Sequence, residues 1–353
     1  MLFAIISHNI DFVTFLMNEF NITIDLKFCA DFNNLDSFLV YFDQTNEINI
    51  SFIYSTIFSI SSLSEYFLLN GANINEKNIN GKTALHIAVE FNYKEIVELL
   101  ISHGANINKK DNNGRTALHI ATQYGYKEII KLLISHGANI NEKDKNGRTA
   151  LHITTQYNYK EMAEFLISHG VKINEKDRFG QTALHVAAEF HSKEIAELLI
   201  SNGSKINAKN IYGKTALYCA VEYHSKEIVE LLLSHGAIIN EKDKNGEIAL
   251  HAAARNNSKE IAELLISHGA KINEKNINGK TTLHIAVELN YKEIVELLIS
   301  HDANINEKDI NGKTALHAAA RINSKEIVEL LISHGAINNA LSRPSMNPYV
   351  ITD

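Results

Sequence analysis

Between residues 81 and 337 the chain alternates short apolar stripes with polar, turn-forming stretches. Leu85, Ala88 and Val89 stand at i, i+3 and i+4 and share one face of a helix. A second stripe follows, Ile96, Val97, Leu99, Leu100 and Ile101, and Gly104 closes it where helices commonly end in a left-handed residue. The next stretch, ANINKKDNNG, is rich in Asn, Asp and Gly and predicts a turn or hairpin. Helix, turn, helix and projecting loop therefore make one unit. Asn92 followed by Glu95 reads as a capping box that restarts the second helix, with Asn92 at the N-cap. Where His191 and His224 replace that Asn, Ser192 and Ser225 are the better caps.

The pattern is periodic. Gly81, Gly114, Gly147, Gly180, Gly213, Gly246, Gly279 and Gly312 are each 33 residues apart, with no insertion or deletion across eight units. That recurrence also disposes of one chemistry. Gly81-Lys82-Thr83 is the end of a phosphate-binding loop, but the glycine required five residues earlier is Glu76, and the triplet returns at Gly213, Gly279 and Gly312. A nucleotide site is needed once. Neither helix of a unit hides its apolar face alone, so the units must stack, and nearest-neighbour interfaces set the stability.

A 33-residue period around a T-x-L-H-x-A core, here Thr83 to Ala88, closed by L-L-I-S-H-G-A, resembles the ankyrin repeat family over residues 81 to about 337. The resemblance implies an all-α ankyrin-repeat solenoid, its helix-turn-helix-loop units stacked into a curved rod. The family usually has Pro where this chain has Ala84, Ala117 and Ala150; Pro there only presets φ, so Ala should keep the fold. Residues 48–80 keep the register weakly, with Phe52, Leu63, Phe67, Leu68 and Gly71 on the expected columns, and read as a degenerate repeat. Residues 1–47 echo the helix pattern and read as a diverged ankyrin-like cap, similar to the helical region that precedes the repeats in some family members; a separate small helical domain is the alternative. The eight repeats then occupy 81–340 and a tail 341–353 follows. The last unit keeps the apolar EIVELLISHG of the first, so the tail, with Leu341, Met346, Tyr349, Val350 and Ile351, is expected to cover that end unless a partner or self-association does. Asp302, Ile248 and Tyr218 depart from the repeat pattern and mark locally weaker units.

Composition adds exclusions. At 353 residues, 45% hydrophobic and 21% charged, the chain has the profile of a folded globular protein. A net charge of −7 argues against nucleic acid or an anionic membrane as partner. Cys29 and Cys219 are the only cysteines, which implies no disulfide framework and a reducing, cytoplasmic setting. MLFAII lacks the basic start of a signal peptide, and the uncharged stretch between Glu47 and Glu65 is too serine-rich and short to span a membrane; it reads as buried helix.

Seventeen histidines invite a metal reading. Most belong to two columns, one through His86, His119, His152 and His185 and one through His103, His136 and His169. Neighbours in a column stand about one helix-packing distance apart, too far to share an ion whose Zn–N bonds are ~2.0–2.1 Å. The family resemblance assigns the T-x-L-H pair to backbone hydrogen bonds between units. Cys219 replaces Ile87 of the first unit and reads as core. Lys94, Glu95 and Glu98 read as a solvated face. No nucleophile, base and oxyanion set is present, so the chain reads as non-enzymatic, with no cofactor and no metal.

Comparison among units separates scaffold from surface. One column reads Glu90, Gln123, Gln156, Glu189, Glu222, Arg255, Glu288, Arg321; the next reads Phe91, Tyr124, Tyr157, Phe190, Tyr223, Asn256, Leu289, Ile322. A column that accepts Asn, Leu and Tyr is not a close-packed core site. The loop tips vary too, with Arg178-Phe179 and Ile211-Tyr212 the most distinctive. By resemblance these columns match the groove that ankyrin proteins use for partners. Interface hot spots favour Tyr, Trp and Arg, so the partner-binding candidates are Tyr157, Arg178, Phe179, Phe190, Tyr212 and Tyr223, with Glu189 and Glu222 favouring positive charge on the ligand. The alternative is that the aromatics pack between first helices and only stabilise the stack. The functional expectation is a protein–protein interaction scaffold, monomeric unless its C-terminal end self-associates. A structural spacer or tether for membrane or cytoskeletal elements, or recent repeat expansion with little selected function, are the other readings.

Overall fold

A computed structural model describes residues 2–20 and 22–337. Among them are twenty-two α-helices, one 3-10 turn and no strand. The chain divides into two compact units, residues 1–178 and residue 179 onward. Leu341, Met346, Tyr349, Val350 and Ile351, expected to cover the end of the array, lie outside the described residues.

The first unit opens with helices Leu2–Ile6, Ile10–Phe20, Leu26–Asp31 and Leu35–Thr45, followed by Ile48–Ser55, a 3-10 turn Thr56–Phe58 and Ser61–Leu69. Its core is aromatic: Phe38, Phe52 and Phe67 are fully buried. Phe38 meets Phe58 with ring centroids 5.1 Å apart, and Phe42 meets Phe67 edge-on at 4.9 Å. Asn34 ties the region together by donating from Nδ2 to the Ile5 carbonyl. Three helix pairs follow, Ala84–Glu90 with Lys94–Ser102, Ala117–Tyr124 with Lys127–Ser135, and Ala150–Gln156 with Lys160–Ser168. The second unit holds five more pairs, from Ala183–Glu189 with Lys193–Ser201 to Ala315–Arg321 with Lys325–Ser333. Among the described residues no helix is long and apolar enough to cross a membrane.

The two helices of a pair are buried differently, for a reason visible in their letters. Every residue from Ala84 to Val89 is buried, because this helix packs on its own partner helix and on the first helix of the next pair. Small residues at Ala84 and Ala88 allow that close approach. The second helix buries only Ile96, Val97 and Leu100 and leaves Lys94 and Glu98 in solvent. Each large aliphatic side chain buried this way contributes roughly 1.5–3 kcal/mol.

The capping expectation for the second helix needs correction. Asn92 is not its N-cap. It has φ +60° and donates its backbone N–H to the Val89 carbonyl, closing the first helix. Asn tolerates the left-handed region better than most residues because its short amide bonds locally. Gly125, Asn158, His191, His224, Asn257, Asn290 and Asn323 occupy the same place with positive φ. Ser192 and Ser225 do stand at N-caps, but neither side chain bonds the helix it precedes. Ser225 instead donates to the Ala188 carbonyl of the previous pair at 2.7 Å, with His191 Nδ1 at 2.6 Å.

Candidate functional site

The histidines of the T-x-L-H motif act between repeats. His86 Nδ1 accepts the Thr83 backbone N–H at 3.2 Å, with Thr83 Oγ1 at 2.8 Å. Its Nε2 then carries the proton and donates to the Arg115 carbonyl at 3.1 Å, 29 residues on. His119, His185 and His284 do the same toward Arg148, Lys214 and Lys313. Burial holds the His86 imidazole down at about 4, against the smaller upward pull of the Arg115 carbonyl. The exposed column is a C-terminal lock: His103 Nδ1 contacts the Leu99 carbonyl at 2.9 Å. Both ring nitrogens of His86 are thus spoken for. Among the described residues no three His, Cys, Asp or Glu gather as metal ligands. Cys219 is buried in the second unit, where burial pushes its thiol up to about 12.

The loop tips are fixed by a repeated device. Asn210 Oδ1 accepts the backbone N–H groups of Tyr212 at 2.9 Å and Lys214 at 3.0 Å. Neighbouring tips then bond to each other: Ile211 N–H donates to the Phe179 carbonyl and Lys244 N–H to that of Tyr212, both at 2.9 Å. In the first unit Arg178 N–H likewise donates to the Asn146 carbonyl at 2.8 Å. Tyr157 there caps its first helix, is 44% exposed, and stacks on Tyr159 with centroids 5.7 Å apart. Phe91 and Tyr124 stack on Tyr93 and Tyr126 in the same way. These rings lean on the residue two positions on, while keeping an open face.

In the second unit the tips and first-helix ends border a half-open cavity of about 240 Å³. Phe179, Glu189, Tyr212, Glu222 and Tyr223 line it, together with Gln181 and Lys214. Phe190, although 41% exposed, is not among its walls. Glu222 pairs with Lys214 at 2.6 Å. Partial burial, then the charges of Glu189 and Glu222, raise the Tyr223 phenol above its ordinary value, so it stays protonated and able to donate.

One network escaped the sequence reading. Tyr218, which stands where other units have histidine, is buried and donates to Glu247 Oε2 at 3.2 Å. Arg255 pairs with the same carboxylate, and Asn276 Nδ2 donates to it at 3.2 Å. Burial alone would raise the Glu247 carboxyl, but Arg255 and Asn276 hold it below the usual carboxylate range. Tyr218 and Glu247 are 29 residues apart, the spacing of the histidine–carbonyl bond, so two odd letters share one interlock. Ile248 in the following unit supplies no hydroxyl to His251, and the His251 Nε2 is buried without a hydrogen-bond partner.

These elements have a known family. The ankyrin-repeat family model matches residues 59–144, 136–210, 208–276 and 273–342, and the chain belongs to that family. Residues 1–41 match a domain of unknown function (DUF3447). No curated protein matches the chain. Ankyrin repeats generally mediate protein–protein interaction, and the family is typically non-enzymatic.

Proposed function

We propose that this protein is a non-enzymatic, cytoplasmic interaction scaffold that holds a partner protein against its loop tips and first-helix ends. The observation that carries this reading is the second-unit surface. Phe179, Phe190, Tyr212 and Tyr223 are 37–52% exposed at columns where other units carry Asn, Leu or Ile. Such rings on a pre-ordered backbone lose little entropy on binding, so their contacts convert efficiently into affinity. Tyr157 and Arg178 are assigned to the same role on the first unit. Catalysis is not assigned to any residue: His86, His119, His185 and His284 are held in bonds between repeats and Cys219 is buried.

The test uses letters the array already tolerates. The variant Phe179→Asn, Phe190→Asn, Tyr212→Asn, Tyr223→Asn is compared with the parent chain at equal helicity by affinity capture. A partner retained by the parent and lost by the variant supports the assignment. Identical retained sets place the contact elsewhere and refute it.

A further inference from the structure

The cavity of the second unit breaks a rule that the array otherwise keeps. In this column a first-helix glutamate is paired with a cation eight residues earlier: Lys82 with Glu90 at 2.5 Å, Lys214 with Glu222 at 2.6 Å, Lys280 with Glu288 at 2.8 Å. Where the order is reversed, Arg255 pairs with Glu247. Glu189 is the exception. The residue eight before it is Gln181, which donates from Nε2 at 3.2 Å and brings no charge. The cavity therefore holds two carboxylates and one ammonium, an unbalanced negative charge walled by aromatic rings.

A second departure sits at the same place. The residue before the tip glycine is Asn80, Asn113, Asn146, Asn245, Asn278 and Asn311 in six units, but Phe179 and Tyr212 in two consecutive ones. Both of those rings line the cavity, and Tyr223 joins them. Three substitutions in adjacent repeats, two that add rings and one that removes a cation, converge on one spot.

We infer that this cavity receives an arginine side chain of the partner protein, whose guanidinium takes the place of the missing internal cation beside Glu189. The inference rests on the interaction-scaffold reading above. Charge complementarity selects a cation, and aromatic faces add attraction for it. A guanidinium fits better than an ammonium, being planar, weakly hydrated, able to stack on a ring and to bond a carboxylate with two N–H groups. Size supports a side chain over a free ligand: about 240 Å³ falls below the roughly 300–1,000 Å³ of small-molecule pockets.

The probe is the blocked pentapeptide Gly-Ser-Arg-Ser-Gly, titrated into the full chain at low salt and followed by NMR. One side chain should bind with a dissociation constant on the order of 1 mM. The citrulline peptide, equal in shape and uncharged, should bind about tenfold more weakly, and the lysine peptide more weakly than arginine. Gln181→Lys restores the pairing found in other units, so it should fold normally and lose arginine binding. Phe179→Asn and Tyr212→Asn should each weaken it. Equal binding of the citrulline or lysine peptide, or undiminished binding to Gln181→Lys, overturns the assignment. The broader reading fails separately: a captured partner lost by the four-Asn variant but kept by Gln181→Lys leaves the scaffold standing and removes the arginine.

Discussion

Lowering the pH from 7.5 to 5.0 should destabilise the repeats through their buried histidines. His86 is held at about 4 in the folded chain against an ordinary 6.5, so the folded state binds fewer protons than the unfolded one. Its contribution is complete above 6.5 and is lost as the pH falls from 6.5 through 4. At pH 7.5 almost nothing is lost; at pH 5.0 the deficit from this one residue is about 2 kcal/mol. The geometry says why. A protonated Nδ1 faces the Thr83 N–H donor, so charging the ring removes the acceptor that caps the helix. Burial lowers His119, His251 and His284 in the same direction, so the full effect exceeds that of one site. Carboxylates held down by lysine hydrogen bonds, such as Glu142 and Glu307, contribute only below about 4.5. Urea unfolding at pH 7.5, 6.0 and 5.0 checks the prediction, with ring NMR of His86 as the local readout. An unfolding midpoint unchanged between 7.5 and 5.0, or a His86 ring titrating near 6.5 in the folded chain, would refute the reasoning.

Other outcomes are expected from the same geometry. A Cβ at Gly279, where φ is +69°, would lie 2.8 Å from the Ile310 nitrogen, whereas at Gly312, φ +73°, it meets nothing within 4 Å. Gly279→Ala should therefore lower the thermal midpoint more than Gly312→Ala, which costs only about 1–2 kcal/mol for its backbone conformation. Removing the Tyr218 hydroxyl by Tyr218→Phe should cost about 1 kcal/mol in urea unfolding, and less in an Arg255→Ala, Glu247→Gln background; equal costs would show that the three are not one network. Cys219, buried and pushed up to about 12, should resist a thiol reagent at pH 8 until the second unit unfolds, so reaction at the rate of a free thiol would contradict its placement.

The helices and their stacking were legible because the period is unbroken and each apolar stripe repeats. The helix ends were less so. Asn92 followed by Glu95 fits two motifs, an N-cap and a left-handed closure, and only the substitution of Gly125, with its own positive φ, discriminates between them. Glycine in that column was the available signal. The partner-binding candidates came from variability, which marks a surface without saying which residues meet. Phe179, Glu189, Tyr212, Glu222 and Tyr223 share a cavity because adjacent tips are joined backbone to backbone, while Phe190, on the same column as Tyr223, falls outside it. The Tyr218–Glu247 contact spans 29 residues. Tyr218 alone read as a mark of a weaker unit, and only its placement beside Glu247 shows a replacement interlock.

That fixed spacing has a consequence for how such a chain changes over time. Many bonds between neighbours recur at a fixed separation, such as 29 from His86 to Arg115 and 33 from Lys110 to Lys143. Those two acceptors are main-chain carbonyls, which every amino acid supplies, and the side-chain acceptors, such as Asn75 Oδ1 for the Asn106 N–H, mostly recur with the period. An unequal genetic crossover within a unit that adds or removes 33 codons therefore splices a donor onto an acceptor of the same kind and leaves the joint sound. The Tyr218–Glu247 joint is different, because Tyr218 and Glu247 each stand alone in their columns. A crossover that parts those two residues leaves a phenol facing a carbonyl at the wrong reach, so this seam should resist the rearrangement that the others permit.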